Sequence, residues 1–171
     1  LINVLRKLVL INKDLNKTFL KKLNDIAHLN LFSKKLISFN KKYNDFSLFI
    51  SDFQNFLQGN IEYPPNNLSI EDKIFEGIIY RLDLLSDYKN ITLKIYLESQ
   101  KNPKYFFTLN KYIQKFFKSF LKSPLDISKA YFIYIYAFNI WIEDDSSMDK
   151  TMAAIGKSFE GINKFESFFK K

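Results

Sequence analysis

An all-α fold is what this sequence predicts, and three observations lead there. Apolar residues recur at helical spacing along nearly the whole chain. Glycine and proline number four each, too few for the frequent tight turns of a β-protein. Helix-starting signals recur where the apolar period resets: Ser followed by Asp three residues on, or Asn or Ser just before Pro. A hydrophobic fraction of 47% over 171 residues is enough to bury a core and excludes a disordered chain.

About nine helices are expected in order. Val4, Leu5, Leu8 and Ile11 mark the first, which Asn12-Lys13-Asp14 ends. Phe19, Leu20, Leu23, Ile26 and Ala27 mark the second. Ser33 caps a short third with Leu36, Ile37 and Phe39. Asn44 or Asp45 opens a fourth that aligns Phe46, Phe49, Ile50, Phe53 and Leu57 and closes near Gly59. The segment 60-NIEYPPNN-67 then interrupts, because adjacent prolines cannot continue a helix. Ser69 with Asp72 forms a capping box for a fifth helix, and Asp87 caps a sixth that runs to about Gln100. Asn102-Pro103 starts a seventh that reaches Leu121, Ser123-Pro124 an eighth, and Ser146 with Asp149 a ninth. The last presents Met152, Ile155, Phe159, Ile162, Phe165 and Phe169 on one face.

The eighth helix is the least ordinary. Ala130 to Ile142 contains only Asn139 as a strongly polar residue, and its aromatics give 131-YFIYIYAF-138 a strand-like composition. A lone strand in a helical chain would leave its backbone groups without partners, so a helix is predicted. At thirteen residues the run is short of the roughly 20 that span a bilayer. No integral membrane span is expected elsewhere, and Leu1–Ile11 is too polar for a signal peptide. Low polarity on every side predicts burial on every side.

Charge divides the chain. Residues 1–60 carry ten Lys/Arg against four Asp/Glu, whereas residues 61–171 are nearly balanced, so a basic N-terminal unit precedes a more neutral body. Cysteine is absent, which excludes disulfides and thiolate chemistry and fits a cytoplasmic protein. His28 is the only histidine, the four glycines form no phosphate loop, and no catalytic residue, metal site or cofactor is expected. Glu143-Asp144-Asp145 is read as a solvated turn ahead of a helix N-terminus. Binding is therefore favoured over catalysis. The chain begins at Leu1 rather than Met, and residues upstream of it are expected.

Within the basic unit, a helix ending near Leu29, a tight turn and the short helix 33-SKKLISF-39 make a helix-turn-helix. Ser33, Lys34, Lys35, Ser38, Lys41, Lys42 and Tyr43 are placed to meet bases and phosphates. The run 25-DIAHLNLFSKKLISFNKKYNDF-46 resembles the N-terminal motif of TetR-family transcriptional regulators. The stretches 72-DKIFEGIIYRLDLLSDYKN-90 and 139-NIWIEDDSSMDKTMAAIGKSF-159 are similar to a subgroup of that family, in its first long ligand-domain helix and its last two helices. The resemblance implies a TetR-like bacterial homodimer with a DNA-binding unit over residues 1–45 and a ligand-binding and dimerisation domain over residues 46–171. Operator DNA and a hydrophobic small-molecule effector are the implied partners. The same C-terminal pattern resembles the lipid-binding accessory proteins of coenzyme Q biosynthesis, which share the fold without reading DNA. Where TetR proteins have Gly-Thr and Tyr in the recognition helix, this chain has Lys35-Leu36 and Ser38.

Three surfaces follow. Tyr80, Phe106, Tyr112, Phe116, Tyr134 and Phe138 are the candidate walls of an apolar pocket, with Asn139 available to orient a polar end. Trp141, Ile155, Phe159 and Ile162 are the candidate dimer contacts implied by the family's four-helix interface, with Gly156 and Gly161 allowing close approach. Lys104, Lys111, Lys115, Lys118 and Lys122 form a basic stripe opposite Phe106, Leu109, Tyr112, Ile113, Phe116, Phe117 and Phe120. That stripe is read as a solvated outer face, with an anionic membrane or a partner as the functional alternative.

Overall fold

The computed structural model describes residues 45–169, with side chains through residue 164. Six helices make up this stretch: α1 (Phe46–Asn60), α2 (Ile70–Ser86), α3 (Lys89–Lys101), α4 (Pro103–Lys118), α5 (Pro124–Trp141) and α6 (Asp149–Phe169). No strand occurs among the described residues, so the strand-like run 131–138 is helical and lies within α5. The first three expected helices, and with them all seven candidate DNA contacts from Ser33 to Tyr43, lie outside the described residues.

Most helix starts follow local chemistry. The Asp45 carboxylate accepts the Ser47 amide at 2.9 Å and opens α1. At α2 the Asp72 amide donates to the Ser69 hydroxyl at 3.1 Å, while that hydroxyl donates to the Asp72 carboxylate at 2.6 Å. At α4 the Lys104 amide donates to the Asn102 side chain at 2.9 Å. Three expected caps differ. Ser123 precedes Pro124 at the start of α5 but makes no side-chain cap hydrogen bond. Tyr88, not Asp87, precedes α3 and makes no side-chain cap. Ser146 does not cap α6; Asp144 does, accepting the Thr151 amide at 2.8 Å and the Thr151 hydroxyl at 2.7 Å. The turn folds back far enough for this because Met148 adopts a φ of 55°, a left-handed conformation that a side chain with a Cβ rarely takes. The α4 helix stops at Lys118, short of Leu121, where the Ser119 hydroxyl donates back to the Phe116 carbonyl.

The described residues form two units. The first joins 45–56 to 87–109, and the second joins 57–86 to 110–169. In the first, Phe49, Ile50, Phe53, Ile91, Ile95 and Leu97 are buried. Their aromatic members continue in a chain of rings: Phe46 meets Tyr105 at 5.2 Å, and Phe53 and Phe56 both meet Tyr88 edge-on at 6.0 and 5.5 Å. Lys104 pairs with Asp45, and that hydrogen bond, aided by the Ser47 amide, holds the Asp45 carboxyl at about 2.

In the second unit α5 packs against α6, and α2 packs against both. Ile74, Ile78, Leu82 and Leu85 of α2 recur at intervals of four, four and three, so one face of the helix is buried throughout. Gly77 lies on that face beneath Phe120, where a Cβ would come within 2.5 Å of the ring. Glycine is needed there for close approach rather than for backbone freedom. The indole N–H of Trp141 donates to the Ser86 hydroxyl at 3.2 Å, tying the end of α5 to the end of α2.

Burial of α5 is not complete. Phe132 is 70% exposed, and Leu125 and Tyr136 are also exposed, while Ala130, Ile133, Tyr134, Ala137 and Phe138 are buried. The expectation of burial on every side therefore fails within the single chain. Among the described residues α5 packs on α2 and α6 and meets α4 through Phe117 and Asn110, and these neighbours leave the side bearing Leu125, Phe132 and Tyr136 exposed.

Candidate functional site

The helical register of α2 places Arg81 at a core position, three residues after Ile78 and four before Leu85. Its side chain is 1% exposed. The guanidinium carbon lies 5.0 Å from the centre of the Phe116 ring and 5.6 Å from that of Tyr134. Its Nε donates to the Tyr134 hydroxyl at 3.4 Å. A guanidinium suits such a setting because it stays charged, is weakly hydrated and stacks on ring faces. Desolvated cation–π contacts of this kind are worth about 2 kcal/mol.

Further rings extend the cluster in both directions. Tyr134 tilts on Phe138 at 5.9 Å, Phe138 meets Trp141 at 5.4 Å, and Phe117 meets Tyr134 edge-on at 5.9 Å. On the other side Tyr63 stacks on Phe116 at 5.9 Å and is 43% exposed. A continuous run of rings thus leads from Tyr63 at the surface, through Phe116, to the guanidinium. A cation with a planar fork of donors, walled by aromatic faces and a phenol hydroxyl, has the chemistry to meet a carboxylate or phosphate at the end of an apolar molecule.

Of the six candidate pocket residues, Phe116, Tyr134 and Phe138 come together here. Tyr80 is half-buried and donates its hydroxyl to Glu76 on its own helix at 3.1 Å, a bond to a carboxylate that pushes the phenol pKa up. Tyr112 is half-buried, with the Lys115 ammonium 5.8 Å above its ring. Phe106 belongs to the first unit, is exposed and meets Phe107 at 5.8 Å. Asn139 donates to the Ile135 carbonyl at 2.7 Å, one turn back along α5. Beside the cluster, Tyr131 donates its hydroxyl to Asn110, and burial raises its pKa.

Trp141, Ile155 and Phe159, three of the four candidate dimer contacts, are buried within the second unit, and Ile162 is half-buried. An added Cβ at Gly156 or Gly161 would meet nothing within 4 Å. The exposed apolar surface of α5 lies instead on Leu125, Phe132 and Tyr136. Sequence reasoning did not single out Arg81 or this stripe. For Arg81 the signal was available, because an arginine at an inward position of a regular apolar register must be buried or break the register.

Among the described residues no group of three or more His, Cys, Asp or Glu side chains is placed to hold a metal ion. Asp144 and Asp145 act as turn acceptors, the latter taking the Ser147 amide at 2.9 Å and its hydroxyl at 2.6 Å. No described helix is long and apolar enough to cross a membrane. Comparisons with protein-family models, with curated proteins and with solved structures found no match.

Proposed function

We propose that this chain is a TetR-like transcriptional regulator that binds operator DNA as a homodimer and responds to a hydrophobic effector. The reading is supported by three stretches in the family's order: 25–46, 72–90 and 139–159. The observation that carries the effector half is Arg81 between Phe116 and Tyr134. An apolar molecule with an acidic end would compete with those rings for the guanidinium and shift α2 against α5. A second copy covering Leu125, Phe132 and Tyr136 would account for an apolar face on solvent. Effector binding would then favour a spacing of the two reading heads that no longer fits the operator.

The second reading is a lipid-binding accessory protein of the same fold with little or no DNA binding. Lys35-Leu36 and Ser38, which replace the family's usual recognition-helix residues, favour it.

One experiment separates them. A regulator retains a palindromic duplex far more tightly than random DNA, with steep salt dependence, and Lys34→Ala with Lys35→Ala abolishes the preference. Unchanged retention in that variant refutes the reading head. An accessory protein shows no preference and releases an isoprenoid or acyl chain into organic extracts, detected by mass spectrometry.

A further inference from the structure

We propose that the outward face of α4 docks on an anionic lipid bilayer. Between Asn102 and Leu125 the chain has five lysines and no acidic residue. At about 100° of rotation per residue, Lys104, Phe107, Lys111, Gln114, Lys115 and Lys118 share roughly a quarter of the helix circumference. All six are exposed, whereas Ile113, Phe116 and Phe117 on the opposite side are buried. Phe107 is the feature that a merely solvated lysine face does not explain. It is 69% exposed, and Lys104 and Lys111 flank it one turn away on either side.

The lysines do not contribute equally. Lys104 is paired with Asp45, and the Lys115 ammonium lies over the Tyr112 ring. Lys111, Lys118 and, just past the helix end, Lys122 therefore carry most of the outward field. Each lysine near an anionic leaflet strengthens binding about fivefold, so these three give roughly a hundredfold preference over a neutral bilayer. The aromatic ring decides between polyanions. The paired, stacked bases of a duplex leave a phenylalanine nothing to cover it, whereas the headgroup–acyl boundary takes it out of water. Unpaired bases can stack on it, so a single strand is a competitor in the test. Since no described helix is long and apolar enough to cross a membrane, a single ring plus three lysines makes the docking peripheral, reversible and salt-sensitive. It stands independently of the regulator reading, since it uses none of residues 1–44 and no effector.

The test is co-sedimentation of the full chain with phosphatidylcholine vesicles, with and without phosphatidylglycerol, at low and high salt. Binding is expected only to the anionic vesicles and only at low salt. Lys111→Ala with Lys118→Ala lowers partitioning about twenty-five-fold. Lys150→Ala with Lys157→Ala, an equal charge loss on exposed positions of α6, leaves it unchanged. Phe107→Trp supplies a readout that does not depend on the alanine variants folding. Its emission shifts to the blue on anionic vesicles, against a native Trp141 that is already buried. The proposal is overturned by absence of binding to anionic vesicles, by equal losses from the α4 and α6 lysine pairs, or by random duplex or single-stranded DNA displacing the chain while the Phe107→Trp emission on vesicles stays unshifted. The last outcome would assign the face to nucleic acid.

Discussion

Replacing Phe116 with leucine removes a ring from beneath the Arg81 guanidinium while leaving an apolar side chain in the core. The guanidinium carbon lies 5.0 Å from that ring, inside the range of roughly 6 Å for an effective cation–π contact. Because Arg81 is buried, the contact belongs at the desolvated end of the range, about 2 kcal/mol. The Tyr134 ring at 5.6 Å remains and retains part of the stabilisation, so the coupling expected is about 1–2 kcal/mol. Phe116→Leu alone costs about 2–4 kcal/mol, since its pairs with Phe117, Phe120 and Tyr63 go too. Arg81→Met alone costs less, because removing a buried charge also removes its desolvation penalty. Urea unfolding of the parent, both single variants and the double variant isolates the coupling. Trp141 is the only tryptophan and lies in the second unit, so its fluorescence follows the unit that holds the contact. The coupling should persist at high salt, which screens surface pairs far more than buried ones. A double variant additive within about 0.5 kcal/mol would falsify the idea that the rings hold the guanidinium.

Two further outcomes follow from the same geometry. Stability should fall steadily on acidification below about pH 4. Asp45 is held at about 2, chiefly by its hydrogen bond to Lys104, and Asp144 and Asp145 are lowered, chiefly by the hydroxyls of Thr151 and Ser147. Depressed folded-state values give stability that is complete above the unfolded value of about 3.9 and is lost as pH falls through the folded one. The urea midpoint should therefore decline between roughly pH 4 and 2. Asp144→Asn should flatten that decline, and an unchanged slope would assign it to other groups. Separately, Gly77→Ala puts a Cβ 2.5 Å from the Phe120 ring. Overpacking of about 1–3 kcal/mol then exceeds a helix-propensity gain of about 1 kcal/mol. In a Phe120→Ala background the same change should become stabilising; failure of the sign to reverse in thermal melts would locate the conflict elsewhere.

Local signals in the sequence are legible where local chemistry decides the structure. The Ser69–Asp72 box and the Asn102-Pro103 start are contacts between residues three or fewer apart, and both form as their residue types dictate. The start of α6 was not legible in the same way. Its cap comes from Asp144, seven residues before Thr151, and reaches it only because Met148 takes a positive φ. Burial followed a similar division. On α2 and α4 the apolar period has a direction, so Ile74, Ile78, Ile113 and Phe116 point inward as the pattern requires. On α5 apolar residues surround the helix and give no direction, and it is the packing partners, with Arg81 of α2 and Phe117 of α4 against Tyr134, that decide that Tyr134 is buried and Phe132 is not. Arg81 was missed for a different reason. Arginine is ordinarily a surface residue, and the rings that compensate its burial come from α4 and α5, distant in sequence.

Neither unit is continuous along the chain: α1 passes from the first into the second between Phe56 and Leu57, and α4 does so between Leu109 and Asn110. The Pro64-Pro65 interruption therefore does not mark a place where the molecule can be cut into self-sufficient halves. A fragment starting at Tyr63 would lack the α1 rings that pack with Tyr88, and one ending there would lack Phe116 and Phe120, whose rings meet Tyr63. During synthesis the first unit must wait for Leu109 and the second for α6, so both are completed late and from distant pieces. Because both helices are divided in this way, a cut at Pro64-Pro65 takes residues from both units at once.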